Sequence, residues 1–454
     1  MDPAVIIGGG LSGLTAGVDL AARGIPVLLF EQKPHLGGRA YSFVDSTTGD
    51  TIDNGQHILI RGYAATMRLL ETIGTTRLLR IQQSPELVFH HPQKGFRTFR
   101  LPALPSPLHV LAGVLGSNLF SARDRLHVLR AGLAIRRCVG EAERRIAELT
   151  VAEWLAAEGQ SDEAVRSFWD PLAISIMNEH TNSASALLFV RALRTAFLEH
   201  RGNAALAVPT VGLSELYANP ARDFLLRRGG TVRCSTRVAK LSAAGNKVTG
   251  VVLHDGSVVN APAVILALPP TEARAVLPEQ LASQDFLVAN AEMPFSPIVS
   301  VHLWFRREIM SQEVVGLIGR TVQWVFNRRR LAPGGAEGGH ISATISAAHD
   351  VVGKTLEEIV ELVMKDLRSA FGYQMPDPWH ALVIREKRAT FSATPAVEKT
   401  RPGQKTPMKN LFLCGDWTAT GYPATIEGAV ISGERCAAHA QAFLRSDAEQ
   451  KLGV

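Results

Sequence analysis

Three widely separated sets of residues have the types and spacings that chemistry needs. The first is Gly8-x-Gly10-x-x-Gly13, followed by Glu31 and Gln32. Gly8 allows a tight turn, Gly10 lets backbone approach a pyrophosphate, and Gly13 lets a helix lie close against a strand. A helix opening at Leu11 and Ser12 presents free N–H groups and a positive dipole end to phosphate, and a carboxylate placed like Glu31 accepts from ribose hydroxyls. The second set, Gly37-Gly38-Arg39, adds another glycine pair and a cation able to neutralise a diphosphate. The third lies near the other end of the chain, where the apolar run Leu411-Phe412-Leu413-Cys414 ends on Gly415-Asp416 and a Thr-, Gly- and Pro-rich loop leads into a helix expected near Ala424.

Strands and helices must carry these sets to one place. "AVIIGGGLSGLTAGVDLAARGIPVLLFEQ" reads as strand, glycine turn, helix with Leu14, Ala16 and Leu20 inward, and a second strand that ends at Glu31. Further along, "RVAKLSAAGNKVTGVVLHDGSVVNAPAVILALPP" contains two alternating strands, a Gly-Asn turn, a hairpin at "HDGS" and an apolar strand over 264–268. Residues 81–204 read as mostly helical, with a capping box at Thr150 and Glu153 and a stop at Gly159. Residues 276–398 mix strands ("IVSVHLWF", "ISATISA") with the helix "TLEEIVELVMKDLRSAF". The expected fold class is mixed α/β. It has a discontinuous Rossmann-like nucleotide-binding domain (1–80, 205–275, 400–445) and a second, substrate domain of helices and mixed sheet (81–204, 276–398).

Composition bounds the possibilities. The chain has 454 residues, 46% hydrophobic and 20% charged, which suits two folded domains rather than disorder. A net charge of +6 without Lys/Arg runs interleaved with aromatics argues against nucleic acid and leaves room for an anionic membrane surface. The four cysteines are far apart and form no C-x-x-C pair, so neither a metal site nor a disulfide framework is expected, and a cytoplasmic, reducing setting is. The longest stretch without Asp, Glu, Lys or Arg, 101–122, is broken by prolines and glycines and does not read as a spanning helix.

Together, the first glycine loop, "EQKPHLGGRAYS" and the C-terminal Gly-Asp resemble the flavin amine oxidase and carotenoid desaturase superfamily. The resemblance implies FAD, held without a covalent link because no attachment motif surrounds Cys414 or Cys436. It places Asp416 on the ribityl chain, Thr425, Ile426 and Ala429 at the flavin ring, and Val238 at adenine. "DNGQHILIRGYAATMRLLETIG", "VQWVFNRR", "REKRATFSATPA" and "GDWTATGYPATIEGAV" narrow the likeness to bacterial hydroxysqualene dehydroxylases, over nearly the whole chain. "MNEHTNSASA" (177–186) departs from that pattern.

The implied reaction is reductive removal of an allylic hydroxyl, giving squalene from hydroxysqualene in hopanoid synthesis. It requires hydride from reduced flavin, a proton for the leaving hydroxyl, and a long apolar tunnel. Gly55, Gln56 and His57 are expected near the flavin, and His57, Tyr422 and Glu427 are the candidate acids. "FWDPLAISIM" and "VSVHLWF" are expected as either tunnel lining or core. An external electron donor must reload the flavin. The competing enzyme readings are a carotenoid-type desaturase and an amine oxidase, and a Rab GDP-dissociation inhibitor is the non-enzyme one. Beside "LPALPSP", Leu126, Leu129 and Leu133 recur among arginines, which suggests peripheral contact of 101–137 with the inner face of the cell membrane.

Overall fold

The computed structural model describes residues 2–278, 281, 292–332 and 337–452. Its first layer is a five-stranded parallel sheet in the order Thr231–Arg233, Val27–Phe30, Ala4–Ile7, Val264–Leu266, Leu411–Leu413. The three inner strands and Leu411–Leu413 are almost wholly apolar and buried. That is expected of parallel strands covered on both faces. The helix Leu11–Ala22 packs against the C-terminal helix Ile426–Leu452, so the two ends of the chain form one unit. The three-stranded sheet Val238–Ala244, Lys247–Leu253, Val258–Asn260 stands beside it, with its turns where "AGNK" and "HDGS" occur.

A second, seven-stranded sheet runs in the order His380–Phe391, Phe295–Phe305, Gly339–Ile345, Trp324–Asn327, Val314–Leu317, Glu86–His91, Gly95–Arg100. Neighbours are antiparallel except Val314–Leu317 with Glu86–His91. Alternation sorts its faces. Val299, Val301, Leu303, Ile341, Ala343 and Ile345 point into a core shared with the helix Leu356–Phe371. That helix opens with a full capping box, Thr355 and Glu358. Residues 86–100 correct the helical reading of 81–204. They are a hairpin whose turn includes Gly95 at φ +68°, and their apolar residues pair with a distant strand that local periodicity does not reveal.

The helices between 108 and 193 pack around an aromatic cluster of Trp154, Phe168, Trp169 and Phe189. The capping box at Thr150 and Glu153 forms, and the helix Val151–Ala157 ends just before Gly159 at φ +69°. In the departing segment, Asn178 ends the helix Asp170–Met177 in the left-handed region, φ +49°. Its amide donates to the Ser296 carbonyl (3.1 Å) and Thr390 Oγ1 (2.9 Å), and its Oδ1 accepts from Ala347 N (2.7 Å). The segment therefore ties the helical layer to the seven-stranded sheet.

Candidate active site

One cavity of about 1000 Å³ runs between the parallel sheet and the seven-stranded sheet. Its size is at the upper end of the range for small-molecule sites, ~300–1,000 Å³. Every sequence-proposed cofactor residue except Gly13 lines it, namely Gly8, Gly10, Leu11, Ser12, Glu31, Gln32, Gly38, Arg39, Gly55, Gln56, His57, Val238, Gly415, Asp416, Thr425, Ile426 and Ala429. Gly13 instead sits at the contact between helix and strand. A Cβ there would lie 2.1 Å from the Gly8 carbonyl oxygen, so this glycine allows the helix to rest on the strand.

The glycine loops form a cradle of backbone. Gly37 N donates to the Gly9 carbonyl at 2.8 Å, which brings the second loop onto the first. At Gly10, the nearest atom to an added Cβ would be Gly38 Cα at 3.9 Å, so a side chain would extend into the cavity itself. Gly10 also begins the helix Leu11–Ala22 without any side-chain cap. An uncapped helix N-terminus faced by side-chain-free backbone suits a diphosphate. Glu31 closes the cradle, accepting from Gly9 N (2.7 Å) and Lys33 N (2.8 Å). These residues fit FAD. Gly8, Gly10, Leu11 and Ser12 would hold its diphosphate, Glu31 its ribose, Val238 its adenine, and Gly415, Asp416, Thr425 and Ala429 its flavin end. When bound, it supplies hydride transfer.

Arg39 and Asp416 are paired with each other, Nη2 to Oδ1 at 2.7 Å, and Arg39 Nη1 donates to the Ala389 carbonyl at 2.7 Å. The two cofactor-facing sets are thus bridged by an ion pair. The Asp416 carboxylate raises the pKa of Arg39, so the guanidinium stays charged. Sequence reasoning missed the support behind this bridge, the buried Arg401. It donates to the carbonyls of Asp416 (2.9 Å), Trp417 (3.2 Å), Thr418 and Tyr422 (2.9 Å), and pairs with Glu398. No motif marks it, because its partners are main-chain atoms of a loop. Asp416→Ala is expected to leave Arg39 unpaired in the cavity wall and to weaken FAD binding by about 1.5–3 kcal/mol. Fluorescence titration of the apoprotein checks this, and affinity equal to the parent's would refute it.

The three candidate acids differ in their surroundings. Glu427 is 2% exposed and does not line the cavity. Its carboxylate accepts from Ala65 N (2.9 Å), Thr66 N (2.9 Å) and Thr66 Oγ1 (2.7 Å), capping the helix Ala64–Ile73, whose own N-cap, Tyr63, provides no side-chain cap. Burial raises its pKa above the usual carboxylate range, against those three donors. Tyr422 also lies outside the lining. Its hydroxyl faces Thr195 Oγ1 at 3.5 Å, and burial raises its pKa. His57 does line the cavity. Its Nδ1 is 2.7 Å from the Gly55 carbonyl, and burial lowers its pKa although that carbonyl favours the proton.

Much of the remaining wall is apolar. Leu87, Phe99, Leu101, Leu172, Ile176 and Phe197 line the part toward the helices, and Trp324, Phe326 and Phe391 the part beneath the sheet. The two uncertain stretches divide. Leu172, Ser175 and Ile176 of "FWDPLAISIM" face the cavity while Phe168, Trp169 and Met177 are core, and of "VSVHLWF" only Ser300 lines the cavity. Among the described residues no group of His, Cys, Asp or Glu is placed to hold a metal ion, and no helix is long and apolar enough to cross a membrane.

A dinucleotide cradle, an arginine–aspartate bridge between the chain's two ends and an adjoining apolar chamber define an FAD-dependent oxidoreductase. Residues 11–440 match the flavin containing amine oxidoreductase family, and the chain belongs to it. The chain is similar to the hydroxysqualene dehydroxylases of Sinorhizobium fredii (33% identical, covering 95% of this chain and 96% of that protein) and Rhodopseudomonas palustris (31% identical, 95% and 96%). Among solved structures, an oxidoreductase from Methanosarcina mazei shares the fold. Its TM-score is 0.73 at 18% identity, covering 95% of this chain and 99% of that one.

Proposed function

We propose that this chain reduces an allylic C30 alcohol, converting hydroxysqualene to squalene and releasing the hydroxyl as water. The observation that carries this reading is the shape of the cavity, whose polar backbone cradle opens directly into an apolar chamber lined by Leu101, Leu172 and Phe197. A polyisoprenoid offers little besides apolar surface and one hydroxyl, and such a chamber takes the first and excludes water from the second. The names of the relatives support the same substrate. His57 is the cavity-lining candidate for proton transfer at the hydroxyl. With Nδ1–H donated to the Gly55 carbonyl, Nε2 is the ring nitrogen that exchanges a proton.

Anaerobic incubation of photoreduced holoenzyme with hydroxysqualene, followed by mass analysis, tests the reading. Squalene is the expected product. No squalene, together with desaturation of phytoene by the oxidised enzyme, would favour the carotenoid-desaturase reading. His57→Phe is expected to lose about 10²–10⁴-fold in turnover while keeping flavin and substrate. A near-parental rate would remove His57 from proton transfer.

We further infer that residues 101–137 dock on an anionic bilayer on the cytoplasmic side and take substrate from it. Leu104, Leu108, Leu111 and Leu115 are exposed around the helix Leu108–Gly116. On the helix Ala122–Arg137, Leu126 and Leu133 are exposed beside Arg123, Arg130, Arg136 and Arg137, while Leu129 is half-buried against the core. A smaller apolar cavity bounded by Val110, Val114, Val128 and Ile135 shares Phe99, Leu172 and Phe197 with the main one, so apolar space leads from the site toward this patch. In liposome flotation, replacing Arg130, Arg136 and Arg137 by Gln should weaken binding to anionic vesicles by about 1 kcal/mol per charge. Equal flotation of parent and triple variant would refute the assignment.

A further inference from the structure

The cavity-facing side of the seven-stranded sheet carries a polar stripe in a place that should be apolar. Where Phe295–Phe305 pairs with Gly339–Ile345, successive rungs on that face are Ser300 with Thr344, His302 with Ser342, and Trp304 with His340. Directly opposed side chains on one face lie close enough to interact. The first rung lines the cavity. His302 and Ser342 are 0% exposed and His340 is 2% exposed. Three atoms along the stripe have no hydrogen-bond partner among the described residues: Thr344 Oγ1, Ser342 Oγ and His302 Nε2. Each such buried group costs ~1–3 kcal/mol when left unmet, and such groups commonly bind ordered water.

The deep end of the stripe meets further polar and aromatic groups. His302 Nδ1 lies 3.1 Å from His340 Nε2, which leaves His302 Nε2 pointing away from that contact. His340 stacks on Trp304 at 4.3 Å, and Trp304 Nε1 donates to Asp50 Oδ2 at 2.6 Å, a carboxylate also held by Arg329. On its other side Trp304 meets His380 at 4.8 Å. His380 is partly exposed, 3.3 Å from Asp45. Arg328, against Asp53 and Gln56, and Asp45 complete the charged groups around the pair. Burial holds both imidazoles well below the usual histidine range, His302 at about 3. Both rings are therefore neutral at pH 7, able to take a proton at one nitrogen and release it from the other.

We propose that this stripe is the proton route into the active site. Water held by Thr344, Ser342 and His302 links the cavity to the His302–His340 pair. The inference rests on the proposed dehydroxylation. That reaction joins one hydride and one proton to each allylic alcohol, forms a C–H bond, breaks the C–O bond and releases water. Reduced FAD would supply the hydride, and the proton, which the apolar part of the chamber cannot supply, would arrive along the stripe. Ser342, Thr344 and His302 are positioning residues for that water, and His57 sits beside their inner end, its ring close to Gly55, whose Cβ position is 3.9 Å from Ser300 Oγ.

A high-resolution crystal structure of the holoenzyme should show ordered water within hydrogen-bond distance of Thr344 Oγ1, Ser342 Oγ and His302 Nε2. The double variant Thr344→Val/Ser342→Ala should slow anaerobic reoxidation of the flavin by hydroxysqualene about 10-fold or more. Flavin spectrum and KM should be unchanged, and the rate should be restored by imidazole buffer or by Thr344→Ser with Ser342 intact. A dry stripe, a parental rate in the double variant, or slow turnover that neither treatment restores would overturn the route. Should the parent itself not reduce hydroxysqualene, the functional reading fails separately, and the water positions then decide the stripe.

Discussion

Gly10→Val is expected to fold normally and to purify without flavin, whereas Gly13→Val is expected not to fold. The two positions are one turn of helix apart and differ in what a side chain would meet. Gly10 has an ordinary extended conformation, φ −74° and ψ 175°, which valine adopts freely, and its Cβ would have nothing nearer than 3.9 Å. The added methyls would occupy the space in which a diphosphate meets the N–H groups of Leu11 and Ser12. Losing two charge-assisted hydrogen bonds at ~1.5–3 kcal/mol each corresponds to roughly a thousand-fold weaker FAD binding. At Gly13 the first added carbon would stand 2.1 Å from the Gly8 carbonyl and 2.9 Å from Ala267 Cβ. Neither neighbour is a flexible side-chain end, so the helix must lift off the sheet, at a cost above the usual ~1–3 kcal/mol of overpacking. Circular dichroism and the visible spectrum of both proteins check the pair. A yellow Gly10→Val protein would place the diphosphate elsewhere.

Glu427→Ala is expected to cost stability rather than chemistry. Removing this carboxylate leaves Ala65 N, Thr66 N and Thr66 Oγ1 without their acceptor inside the protein. At ~1–3 kcal/mol for each orphaned donor, the loss should be about 3 kcal/mol or more. Glu427→Gln keeps one acceptor oxygen and should lose less. Denaturant unfolding of the two variants measures the difference, and turnover per folded, flavin-loaded molecule should stay within a few-fold of the parent. The opposite pattern, parental stability with a 10²-fold or greater loss of turnover in Glu427→Gln, would restore the carboxyl as an acid.

Some of this protein could be read from local order alone. Gly8, Gly10, Gly13 and Glu31 each answer to a requirement that lies within a few residues of chain, such as a turn, a close approach or a strand end. Their spacing was therefore enough to place the cradle and the strands and helix around it. The capping boxes at Thr150 and Thr355 are of the same kind, since cap and partner stand three residues apart. The superfamily resemblance carried by the glycine loop, "EQKPHLGGRAYS" and the C-terminal Gly-Asp added FAD and the positions of Val238 and Asp416, and the longer stretches narrowed the substrate.

Only the tertiary structure decided what each polar group faces. Glu427 follows a flavin-facing turn in sequence, yet its carboxylate turns to a helix more than 360 residues earlier. Arg39 and Asp416 each suit an anion or a hydroxyl, and they meet each other because the parallel sheet aligns the chain's two ends. In "VSVHLWF" the alternation separates two faces, but which face meets a core and which a cavity depends on the register with Gly339–Ile345 and on the segment laid over it. Burial, pairing and pKa arise from groups brought together across hundreds of residues. A sequence records the groups, and the folded chain alone sets their distances.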